Sequence, residues 1–265
     1  MKHHLILAAA FLLATGLPAL AQKYPPDVQN ALEVVRKKVD EMGARGAGDL
    51  TFVADKAVRK NFANHRFVVV RFRQFPVARQ VPEGMQASNI FAVVMDGKAE
   101  HLKDAKTLEK FFRTHCPVVK NEQDAKAALA AWLTLSQEYR QDGMFKFEVL
   151  EKDFGSETKD ALVVRGRALV TQGGNGEITA ELTYDKEGKL AKAVEREAIR
   201  PGPRPICQAT LLLDANPLVR RVAEQDLVVM GLSARGYLDE QRAKASPELR
   251  REIDRVWQVI QRNGW

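Results

Sequence analysis

The sequence predicts an α+β protein, a helix-plus-antiparallel-sheet core with an α-helical C-terminal extension. Apolar residues fall on one helical stripe at Val28, Leu32, Val35, Val39 and Met42. Short runs rich in β-branched and aromatic residues, separated by glycine turns, fill most of the stretch from residue 50 to residue 197. Beyond a proline-rich interruption, every apolar pattern is helical again. Helix and meander placed in series, rather than strand and helix in alternation, define the α+β class.

The chain opens with Lys2, His3 and His4, an unbroken apolar run from Leu5 to Leu13, then Pro18 and Ala19-Leu20-Ala21. A basic start, a short apolar run and small residues at the scissile point predict a signal peptide over residues 1–21, with periplasmic or secreted localisation. No cysteine lies near that point to carry a lipid, and no later run approaches the roughly 20 apolar residues of a membrane span.

After Pro25-Pro26 and a capping Asp27, the first helix stops at Gly43, and Leu50 to Val53 is a short strand. His65 to Phe75 is the strongest strand, with Arg71 and Arg73 opposite Phe72 on a solvated face. Ile90 to Met95 and Lys98 to Leu102 flank Asp96-Gly97, a tight hairpin expected to need positive φ at both turn positions. Asp104 to Phe112 and Ala125 to Tyr139 are helical, the second being rich in alanine and carrying Leu129, Trp132, Leu133 and Leu135.

Four strands follow, at Phe145–Leu150, Ala161–Thr171, Ile178–Tyr184 and Leu190–Glu197, with turns at Gly173–Gly176 and Asp185–Gly188. Residues 27–198 therefore form the α+β domain. A faint repeat of helix then strands admits two modules, 27–117 and 118–198, or one larger sheet; helix followed by meander is also the cystatin-like chain order. Residues 199–209, rich in proline, are expected to end the ladder and act as a linker. Residues 210–265 hold three helices, the first capped by Asn216 before Pro217 with a face of Val219, Ala223, Leu227 and Met230, the third opened by Ser246-Pro247.

In that last region Asp214-Ala-Asn-Pro-Leu-Val-Arg220, Ala223, Leu227, Gly231, Ala234, Leu238 and Ser246-Pro-Glu-Leu-Arg250-Arg251 resemble a HEAT-type helical repeat. The resemblance covers about a fifth of the chain and implies scaffold or protein-interaction work, with no catalytic residue. Arg220, Arg221, Arg250 and Arg251 are its candidate interaction face. Only about one and a half units are present where a solenoid needs about three, so the helices are expected to pack on the α+β region or on a partner.

Formal charge is +7, but Lys and Arg alternate with Asp and Glu along most of the chain, as on an ordinary solvated surface, and nucleic acid is not an expected partner. Between residues 56 and 79, Lys56, Arg59, Lys60, Arg71, Arg73 and Arg79 are interleaved with phenylalanines. Arg71, Arg73 and Arg79 are the candidate sites for a small or polymeric anion. Cys116 and Cys207 are the only cysteines. In an oxidising compartment they admit one disulfide, worth on the order of 4 kcal/mol by loop closure, or two buried free thiols. A redox pair is disfavoured because neither has a Cys-x-x-Cys neighbour.

His65, His101 and His115 have no metal-ligand spacing, and no cofactor is expected. Gly173-Gly-Asn-Gly176 leads into a strand, not into the helix that a phosphate loop requires. No Gly-x-Ser-x-Gly or His-Glu-x-x-His occurs, and Asp153, Glu148 and Glu181 are the carboxylates placed where a pocket in the meander would open. The reading is a non-enzymatic envelope protein that binds another protein through its C-terminal region; an anion-binding module comes second and a pocket enzyme third.

Overall fold

A computed structural model describes residues 24–44, 48–72, 74, 80–141, 145–202 and 209–263. The leader expected over residues 1–21 lies outside the described residues, as do Arg73, Arg79 and Cys207. Among those described, no helix is long and apolar enough to cross a membrane.

The α+β class holds, as two antiparallel sheets with helices between and outside them, followed by a helical unit. The first sheet has the order β1 (Asp49–Phe52), β2 (His65–Arg71), β3 (Ser88–Val94), β4 (Ala99–Leu102). Helix α1 (Pro26–Glu41) lays Ala31, Val35 and Val39 on one face of it, against Val68, Val70, Phe91 and Val93. The opposite face carries Phe67, Val69, Ile90 and Ala92 into the main core. Phe67 to Val70 are therefore all buried, and the solvated face expected for this strand does not exist. The physical reason is α1, which covers it.

Three helices fill the space behind that face: α2 (Lys56–Asn61), α3 (Ala105–His115) and α4 (Glu122–Glu138). Helix α2 has no periodic apolar stripe and was not anticipated; Asp55 caps it by accepting the Val58 N–H at 2.9 Å. Asn61 donates from its side chain to the carbonyl of Ala127, 3.0 Å away on α4. Helix α4 is capped by Asn121 and is buried around its circumference from Ala128 to Ser136.

The second sheet covers the other side of α4. It comprises β5 (Lys146–Val149), β6 (Gly155–Thr158), β7 (Leu162–Gln172), β8 (Gly174–Tyr184) and β9 (Leu190–Pro201), ordered β5-β7-β8-β9. Strand β6 pairs with residues 162–165 of β7 and β5 with residues 168–172, so both share one edge of β7, broken by a 3-10 turn at Glu151–Asp153. Sequence reasoning missed β6 because Gly-Ser-Glu-Thr is exposed throughout and shows no alternation. Val164, Ala168, Ile178, Ala180, Leu182 and Tyr184 face α4. Gly166 lies on that same face of β7, where a Cβ would collide with the Phe154 ring and stand 3.0 Å from Leu129. Its missing side chain lets the sheet approach the helix.

The Asp-Gly hairpin forms, but not with positive φ at both turn residues. Only Gly97 is left-handed, at φ +85°. The Gly97 N–H donates to Val94 and the Val94 N–H to Lys98, and the hairpin at Asp185–Lys189 repeats this pattern around Gly188. Both are three-residue loops ending in a left-handed glycine, which relieves the aspartate of a strained backbone. The proline-rich linker also begins later than expected. Strand β9 keeps its register through Arg200 and Pro201, paired with Asn175 and Gly174. As an edge strand it tolerates a proline, whose missing N–H would have faced solvent.

After a 3-10 turn at Ala209–Leu213 come α5 (Pro217–Met230), α6 (Arg235–Lys244) and α7 (Pro247–Asn263). These helices do not depend on the α+β region for a core. Leu212, Ala223, Leu227, Met230, Tyr237, Leu238, Ile253, Val256 and Ile260 form a separate one. The Tyr237 hydroxyl accepts the Ala209 N–H at 2.8 Å, and Arg255 binds Glu224 through two nitrogens, tying α7 to α5.

His65 sits at the rim of the main core, 4.8 Å from the His115 ring and 5.1 Å from Phe111. Burial first, and the His115 ring second, push its pKa below the ordinary 6.5. At pH values below 6.5 the unfolded chain therefore binds more protons here than the folded one. This ring's contribution to stability is complete above 6.5 and drains away as the pH falls toward the folded value. The urea midpoint is expected to drop between about pH 7.5 and about pH 5.5, and His65→Phe to flatten that slope. An unchanged slope in the variant would remove His65 as the source.

Candidate functional site

Three polar or exposed features could carry function. The first is internal. Glu195 on β9 points toward α4, where its carboxylate accepts the Trp132 indole N–H at 2.9 Å and the Ser136 hydroxyl, and pairs with Arg140 at 2.7 Å. Arg140 also reaches Glu197 at 2.8 Å. On the other side of the same helix end, Glu138 binds Arg71, whose guanidinium also donates to Thr51 at 3.1 Å. Burial raises the Glu138 carboxyl above the usual range, opposed by the neighbouring Arg71 charge. These two clusters join the C-terminal end of α4 to a strand of each sheet. Arg71 is thus half-buried and paired with Glu138 rather than part of an open basic face.

The second feature is the outer face of the second sheet, an open groove of about 660 Å³ lined by Asp153, Arg165, Arg167, Glu181, Lys192 and Arg196 among others. Asp153 and Glu181 do come together here, as their place in the meander suggested, whereas Glu148 does not line the groove. Asp153 holds Arg167 at 2.8 Å and Glu181 holds Arg165 at 2.6 Å, each across neighbouring elements. Such exposed pairs are mutually neutralised and worth little individually. Lys192 and Arg196 have no ion pair among the described residues.

The third feature is on α5. Its inner face is Ala223, Leu227 and Met230, yet Leu218, Val222 and Val229 lie on the opposite side, exposed by 63%, 49% and 62%. Leu213 and Leu232, outside the helix, are also exposed, by 46% and 50%, Leu213 lining a depression with Arg220 and Glu224 on another side of α5. The other large apolar side chains so exposed among the described residues are Met95 and Val118, both distant in sequence. Sequence reasoning found only the inner stripe of α5. Steps of four and seven residues from Leu218 to Val222 to Val229 would have revealed the second.

Of the arginines anticipated on this unit, Arg220 donates to the carbonyls of Asp214 and Ala215, and Arg250 to that of Arg242, so both are partly spent on loop closure. Arg221 is exposed and without an ion pair among the described residues. Arg251 meets Glu248 at 3.8 Å on the surface. Arg220 and Arg221 line a shallow depression beside Glu224 and Arg255 that excludes Arg250 and Arg251, so the four do not form one face.

Cys116 is a free, half-buried thiol whose pKa burial pushes up to about 12, which makes it a poor nucleophile. His101 stacks on Phe91 at 4.6 Å, with Nε2 3.2 Å from the side-chain oxygen of Asn89. No cluster of three metal-ligating side chains exists among the described residues. No known protein family, curated protein or solved structure matches this chain.

Replacing Glu195 with alanine strands the Trp132 N–H and the Ser136 hydroxyl at once and leaves Arg140 with Glu197 alone. A loss on the order of 3 kcal/mol in unfolding free energy is expected from chemical denaturation. A loss below about 0.5 kcal/mol would mean the cluster is not a structural clasp.

Proposed function

We propose that this protein is a non-enzymatic, exported interaction module that docks another protein on the outer face of α5. The observation carrying this reading is the exposed apolar row of Leu218, Val222 and Val229 along α5, on a unit that closes its own core without using it. Scattered exposed leucines are ordinary, but a contiguous row along one helix marks a contact surface. The HEAT-like pattern of residues 210–262 points the same way, and the leader pattern supports an encounter in the periplasm or outside the cell. Against an enzyme stands the state of the gathered carboxylates, Asp153 and Glu181, each held by an arginine.

The immobilised protein is expected to retain specific proteins from a cell-envelope extract. The double variant V222D/V229D, which alters only exposed positions, is expected to lose them by at least about tenfold. Identical recovery by both forms would overturn the reading.

A second reading, favoured by Lys192 and Arg196, which have no ion pair among the described residues, is that the groove on the second sheet binds a polymeric anion. Heparin retention that weakens with salt and falls in K192E/R196E would support it; retention equal in variant and parent would exclude the groove.

A further inference from the structure

We propose that the outer stripe of α5 is a homotypic seam, at which a second copy of this chain packs α5 against α5 in parallel as a short two-stranded coiled coil. The inference rests on the docking role given to this face and names its partner.

Leu218, Val222, Gln225 and Val229 follow one another at steps of four, three and four residues, all on the exposed side of the helix. This is the d-a-d-a spacing of a heptad seam, and it ends with the helix, which Gly231 stops at φ 57° and ψ −141°. Valine at a with leucine at d is the combination that favours two parallel strands. Gln225 is a single polar residue at a d position, which weakens the seam.

The charges beside the stripe choose between orientations. Arg221 immediately precedes Val222, at a g position, and Asp226 immediately follows Gln225, at an e position. They lie on opposite flanks of the row and five residues apart. In a parallel pair, a g residue lies against the e residue five positions on in the other helix. Arg221 of each copy then meets Asp226 of the other, and the two-fold axis makes this pair twice. An antiparallel pair would set arginine flank against arginine flank. Within one copy neither group has an ion pair among the described residues. Burial raises the Asp226 carboxyl above its ordinary range, and no cation draws it back down.

Two heptads are too few to hold a free coiled coil together. Here the helix is already ordered by its inner face, Ala223, Leu227 and Met230, so only the cost of docking remains. The seam is short, and a dissociation constant in the tens of micromolar, roughly, is expected.

The test is sedimentation equilibrium of the purified protein from about 1 to about 500 µM, with R221E and D226R. Wild type is expected to dimerise. Each single variant, facing like charges twice, is expected to weaken association by about fivefold or more. An equimolar mixture of the two is expected to regain wild-type association, because only the mixed pair sets opposite charges face to face. The double exchange R221E/D226R restores both pairs within one chain and should dimerise like wild type, a check that survives poor folding of either single variant.

A wild type that stays monomeric, or a mixture no stronger than its components, overturns the seam. If wild type is monomeric while V222D/V229D still loses its captured proteins, the homotypic partner is wrong and the docking face stands. If V222D/V229D changes neither capture nor self-association, both readings fall.

Discussion

Helix α4 is buried around its circumference from Ala128 to Ser136, and a helix with no wet side has to be covered from every direction. One sheet covers one side and the second sheet the other, while α2 closes part of the remainder. The small residues make this possible. Ala128, Ala130 and Ala131 on the helix and Gly166 on β7 allow close approach, while Trp132, Leu129 and Leu133 supply bulk. Trp132 also carries the one polar atom of its ring to Glu195 at 2.9 Å, as a buried indole requires.

The polar groups at the end of α4 follow from that same burial. Where the helix emerges, Glu138 and Arg140 reach in different directions, to Arg71 of the first sheet and to Glu195 and Glu197 of the second. The Arg71–Glu138 and Arg140–Glu195 pairs, each with a carboxylate shielded from water, cost much to break and fix one arrangement of the two sheets on the helix. The C-terminal unit obeys a different economy of surface. Its core closes with three helices and a 3-10 turn, leaving α5 apolar on two sides when only one is needed for folding. Folding does not require the second stripe, so contact with another molecule is the reason offered for it.

Much of this arrangement was legible residue by residue. The stripe of α1, the β-branched runs of β2 and β3, the Asn121 and Asn216 caps and the glycine turns each encode a local preference strong enough to survive. Helix α2 and strand β6 were not legible, because six capped residues and four exposed ones carry no periodic signal. Arg71 looked like part of a basic surface, since charge in a sequence says nothing of which carboxylate waits opposite; Glu138 is 67 residues away.

The sequence by itself determined the class of the fold, the order of its elements and the faces that helices α1, α3 and α5 turn inward, because period and capping act over a few residues. It also carried the leader pattern and the absence of spaced catalytic motifs. Only the tertiary structure decided that two sheets enclose α4, that β2 is covered on both faces, that Asp153 and Glu181 meet their arginines, and that the C-terminal helices close a core of their own. Those outcomes depend on contacts between residues far apart in the chain. Such contacts are set by which surfaces fit and exclude water together, and no local pattern records that.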